Sequence, residues 1–149
     1  MNLNSQHQNL YETDFLKWIE TTADKLRTHD YSAVDWENLI EEIEAMGRSE
    51  RRRLKSNLIV LVLHLLKWHY QSDRRSGSWK GSIVEHRRRI RDDLADSPSL
   101  KPYLEQVFDD CYRDAVEQAA AETGLLSKTF PESCPYSVME ILDTNFLLD

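Results

Sequence analysis

The stretch LKSNLIVLVLHLLKW, residues 54 to 68, constrains the fold more than any other part of the chain. Leu54, Leu58, Leu61, Leu65 and Trp68 recur at intervals of four and three. Ile59, Val60, Val62, Leu63 and Leu66 fill the remaining sides. A helix that is apolar all round needs cover on every face. The apolar run Leu58 to Leu66, interrupted only by His64, is far too short to span a bilayer, so the cover is expected from the rest of the chain. Glycine and proline number only four each, and the alternating runs bounded by turns that mark strands are missing. The expectation is all-α: a single-domain antiparallel helical bundle of about five main helices plus a short C-terminal helix.

The flanking segments carry helical stripes that fit this. Phe15, Trp18, Ile19, Thr22 and Leu26 make an apolar face for a first helix from near Thr13 to about Thr28, with Asp14 helping its start. Asp35 is a good N-cap for a second helix with stripe Trp36, Leu39, Ile40, Ile43 and Met46, ended by Gly47. Ser49 then caps the central third helix. Ser76 or Ser78 opens a fourth, whose inner stripe reads Trp79, Ile83, His86, Ile90 and Leu94, with arginines on the outer faces. A fifth starts in DSPS with Pro98 in its first turn and runs through Leu104, Cys111, Ala115 and Ala119 to Gly124. Ser137 and Glu140 have capping-box spacing and open the short last helix. Residues 1–12 are expected to be flexible, and 125–149 to form a loop and short helix packed on the bundle, within one domain over 1–149.

The net charge of −7 hides an asymmetry. Residues 1–47 carry 3 basic and 10 acidic groups, 48–91 carry 13 and 3, and 92–149 carry 3 and 13. A basic centre of net +10 between acidic arms is either an interaction surface or is neutralised when the arms pack beside it. Two cysteines, Cys111 and Cys134, form no metal-ligand pair and suit a reducing cytoplasm. The N-terminus lacks the basic start and apolar run of a signal peptide, which leads us to expect a soluble, unexported chain with no membrane association.

Two groups of residues are candidates for chemistry. Lys67, Arg74, Arg75, Ser76, Ser78 and Trp79 surround an expected helix N-terminus, where outward amides and nearby cations suit an anion. The other reading of this corner is a capped turn whose cations reach acidic helices. His64 lies in the apolar run and His86 on an inner stripe, so they meet if helices three and four are antiparallel neighbours. Glu41, or else Glu42 or Glu44, of helix two would complete the cluster. That cluster is either a structural hydrogen-bonded pair or a metal site, although HExxH and the Glu-x-x-His pairs of di-iron bundles are absent. No nucleophile triad is visible, no arginine stands at ribonuclease-like spacing before a histidine, and no catalytic residue, metal or cofactor is assigned.

Several phrases, YETDFLKWIE, ENLIEEIEAMGRSERRRL, HLLKWHYQSDRRSGSW, DSPSLKPYLE, AAAETGL and FPESCPYSVMEILD, follow one another in an order that resembles the domain of unknown function 29 family, bacterial and chiefly cyanobacterial. The resemblance covers nearly the whole chain and includes Gly47, Ser49, His64, Lys67, Trp68, Arg75, Trp79, Pro98 and Glu122-Thr123-Gly124. It departs at Ser72-Asp73, where the family has Pro-Glu, and at Ser82, where it has Thr. It implies a small single domain, and it supplies no activity because none is assigned to the family. Because charge is segregated and no catalytic constellation stands out, function is expected to be that of a non-enzymatic cytoplasmic protein-interaction or regulatory module, with a protein partner or a second copy. The alternatives are anion or nucleic-acid binding through the basic segment 48–91, and a metal-dependent bundle enzyme using His64 and His86.

Overall fold

A computed structural model describes residues 10–146 of the chain, and it is all-α. The described residues form two compact units, one ending at Ser49 and the other beginning at Glu50. Most of the flexible N-terminus expected over 1–12 lies outside the described residues, as do 147–149; residues 10–13 are helical.

The first unit is a helical hairpin. Helix α1 spans Phe15–Arg27, capped by Asp14, whose carboxylate accepts the Lys17 amide at 3.1 Å. The chain leaves it through His29 at φ 62°, a left-handed conformation that glycine usually supplies, and passes a 3-10 turn at Tyr31–Ala33. Helix α2 follows over Trp36–Tyr70, with the Asp35 carboxylate accepting the Asn38 amide at its start. Trp18, Thr22 and Val34 are buried here, and the Tyr11 hydroxyl donates to Glu42 across the hairpin.

Helix α2 corrects one expectation. Gly47 does not end a helix and Ser49 does not cap another, because 35 residues run without a break. Gly47 has ordinary negative φ, and nothing lies within 4 Å of where its Cβ would be. An isolated glycine costs a helix only about 1 kcal/mol relative to alanine, too little to interrupt one with strong periodicity on both sides.

The second unit is built on the later part of α2. Leu54, Leu58, Leu61, Leu65 and Leu66 are 0% exposed there, each burial stabilising the fold by about 1.5–3 kcal/mol. A 3-10 turn at Ser72–Arg74 leads to α3, Gly77–Asp96, and the link 97–99 leads to α4, Leu100–Thr123. Lys67 meets Trp79 and Arg53 meets Asp93, so α3 runs antiparallel to α2. Arg51 lies over Tyr103 and Lys67 near Glu122, so α4 runs back parallel to α2. This up-down-up bundle covers the apolar helix with Ile83, Ile90, Leu104, Cys111 and Ala115. Pro98 sits in the turn before α4 rather than in its first turn, which holds Pro102 instead. At the far end Gly124 takes φ 76°, the left-handed C-cap that only glycine adopts without strain.

Beyond Gly124 the chain returns over the bundle. Phe130, Tyr136 and Ile141 join the same core, and the Tyr112 hydroxyl donates to the Pro131 carbonyl. A 3-10 turn at Ser127–Thr129 precedes α5, Val138–Leu142, which opens on a full Ser137–Glu140 capping box.

Candidate functional site

The end of α2 and the start of α3 gather most of the expected site residues. Ser76 is the N-cap of α3, its hydroxyl accepting the Trp79 amide at 3.3 Å. The Lys67 ammonium sits 4.6 Å from the centre of the Trp79 ring and 3.8 Å from the Glu122 carboxylate, with its side chain only 11% exposed. The Arg75 guanidinium stacks over the Trp68 ring at 4.7 Å, and its Nε donates to the Trp68 carbonyl at 2.8 Å. These two cations thus have partners within the fold. Arg74 and Ser78 face solvent on the same turn.

His64 and His86 meet one turn deeper. The Ser82 hydroxyl lies 3.4 Å from His64 Nδ1 and 3.2 Å from His86 Nδ1. Each Nδ1 is also 2.8 Å from a backbone carbonyl four residues earlier, Val60 for His64 and Ser82 for His86. A carbonyl only accepts, so both Nδ1 atoms carry hydrogen, and the tautomer of either ring in its neutral form has the lone pair on Nε2. Burial holds the His64 pKa below its ordinary value, and the Lys67 and His86 charges act in the same direction. The Val60 bond and Glu122 oppose them.

Glu41 does not join the pair. It belongs to the first unit, where its carboxylate takes the Arg48 guanidinium at 2.7 Å. The carboxylate that reaches His64 electrostatically is Glu122, from the end of α4. Among the described residues no three His, Cys, Asp or Glu side chains gather closely enough to hold a metal ion.

The family model described as "Domain of unknown function DUF29" matches residues 10–147, nearly the whole chain. The chain belongs to the DUF29 family. Searches of curated proteins and of solved structures find no match. The corner formed in this DUF29 chain by His64, Lys67, Trp68, Arg75, Trp79 and Glu122 is thus built from the residues on which the resemblance rested.

Two features of the DUF29 chain were not legible as sites. Arg87, expected among the outward arginines of α3, is 2% exposed. The signal was present, because Arg87 stands four residues after Ile83 and three before Ile90, on the same stripe as both. The second is the hairpin surface. Phe15, Leu16, Ile19, Ile40, Ile43 and Met46 remain 42–65% exposed, although most belong to stripes expected to be core. Several of them line a groove of about 340 Å³ together with Trp18, Thr22, Leu26, Leu39 and Glu42.

Proposed function

We propose that this chain is a protein-interaction module that takes a basic amphipathic helix of a partner protein onto the α1–α2 hairpin. The observation that carries the reading is the exposed apolar face of Phe15, Leu16, Ile19, Ile40, Ile43 and Met46. Contiguous apolar surface of this kind, presented by two helices, is what a third helix packs against. Charge selects the occupant. Residues 10–49 carry 10 acidic and 4 basic groups, and Glu42 lies on the groove wall. A lysine- or arginine-flanked helix complements that rim, whereas a second copy of the hairpin would bring like charges together. The proposed location is the cytoplasm. Both cysteines are free, and burial pushes the Cys111 thiol up to about 11, which leaves it an inert core group. No helix among the described residues is long and apolar enough to cross a membrane.

The test titrates the full chain with a labelled helical peptide of leucine and lysine at amphipathic spacing, and with its leucine–glutamate counterpart, followed by fluorescence anisotropy. The lysine peptide is expected to bind saturably and to lose at least about tenfold in affinity with Ile19→Asp plus Ile43→Asp. Equal binding of both peptides, or of neither, overturns the proposal. So does light scattering that shows a dimer which Ile43→Asp converts to monomer, because the face would then belong to a second copy.

A further inference from the structure

We infer that a pocket between α3 and the C-terminal segment binds a small phosphorylated molecule through Arg87, Arg88 and Arg91. The pocket holds about 380 Å³ and is walled by Val84, Arg87, Arg88, Arg91, Asp92 and Thr144. That volume suits a small metabolite more than a bare ion.

Arg87 forms the inner wall. Its Nε donates to the Ile141 carbonyl at 2.6 Å and its Nη2 to the Phe146 carbonyl at 3.2 Å. Nη1, also buried, has no hydrogen-bond partner among the described residues. Buried guanidinium groups are ordinarily paired with an anion and fully hydrogen-bonded, and among the described residues the hydrogen-bond acceptors of this one are neutral carbonyls. The Asp143 charge favours its cationic form, but burial and Arg91 oppose that form. Arg88 and Arg91 form the outer wall, both exposed and neither in an ion pair among the described residues.

Among the described residues the carboxylates facing this group are Asp92 on the wall and Asp143 near Arg87, so three guanidinium groups exceed the acid described there. Arginine forks match phosphate oxygens two at a time, and Thr144, a residue type with a hydroxyl donor, also lines the pocket. Among the described residues, hydrogen-bond partners within the fold account for only one of the three arginines. Two neutral carbonyls need only one of them, and none pairs with Glu85 or Asp93, which are taken by Arg89 and Arg53. The site lies wholly in the second unit and is independent of the hairpin groove.

The experiment is thermal unfolding of the full chain with glycerol 3-phosphate, inorganic phosphate, acetate or chloride at matched ionic strength. Glycerol 3-phosphate is expected to raise Tm saturably below about 10 mM, with acetate and chloride without effect. Arg88→Gln with Arg91→Gln should keep the ligand-free Tm, since both side chains are exposed, and abolish the shift. Arg74→Gln, on the α2–α3 turn, should leave it intact. Arg87→Gln should abolish it in a folded protein, and if that variant does not fold the outer pair still decides. No saturable shift, an equal shift with chloride, a shift retained by the double variant, or one lost with Arg74→Gln overturns the site.

Discussion

The two compact units handle apolar residues in opposite ways. The bundle seals Leu54, Leu58, Leu61, Leu65 and Leu66 completely, whereas the hairpin buries Trp18 but leaves Phe15, Ile19, Ile40, Ile43 and Met46 at least two-fifths exposed. The sequence patterns are similar in kind, since each helix carries a stripe at intervals of three and four. What differs is the number of covering elements. Two helices can each bury one side of a stripe against the other, but a wide stripe then has no second layer. The bundle has α3, α4 and the returning C-terminal segment around one helix, so most of that helix's apolar side chains find a partner. An apolar stripe therefore reports that a helix wants cover, and only the count of neighbours says whether the chain itself supplies it.

The largest expected effect separates the two units directly. Leu61→Ala should destabilise the chain by about 2–5 kcal/mol in chemical denaturation, because it opens a cavity in a sealed core. Ile43→Ala, the same kind of truncation on the exposed hairpin face, should change stability by no more than about 0.5 kcal/mol. Equal losses would break the comparison by showing that the hairpin face is covered in solution. The two glycines sharpen it further. Gly124→Ala should cost about 1 kcal/mol because the left-handed C-cap resists a Cβ. Gly47→Ala, in open space within a continuous helix, should gain about 0.5–1 kcal/mol. A loss at Gly47 instead would mean that the helix bends or breaks there.

Most of the fold was legible from local chemistry. The caps at Asp14, Asp35 and Ser76, the Ser137–Glu140 box and the Gly124 stop all depend on residues within four positions of one another. The candidate cluster was half legible. His64 and His86 meet because two antiparallel helices follow one another in sequence, and that connectivity could be argued from a short turn. Their carboxylate neighbour could not, since Glu122 arrives from α4, 58 positions beyond His64 and through two further turns. Arg87 escaped for another reason. A charged residue inside a run of arginines looks solvated, and only the carbonyls of Ile141 and Phe146, presented by the distant C-terminal segment, explain how it is held in the core. Gly47 shows the converse error, a strong local signal overruled by the helix-forming residues around it.

The smallest expected effect concerns pH and only the bundle. The folded-state pKa of His64 lies below its ordinary value of 6.5, with burial the main cause. The unfolded chain therefore takes up a proton at His64 more readily than the folded one. The stability this contributes is fully present above the unfolded pKa and declines as pH falls through 6.5 toward the folded value, below which no more is lost. Half-burial beside solvent keeps the effect small. Unfolding free energies measured from pH 7.5 to 5 should fall with acid in the wild type and less steeply in His64→Gln, which keeps a donor for the Val60 carbonyl. Parallel curves would show that the ring takes up its proton in the folded bundle as readily as in the unfolded chain. The pair at Ser82 would then sit in water, open to a ligand from outside, and would no longer belong to the sealed region that sets the bundle apart from the hairpin.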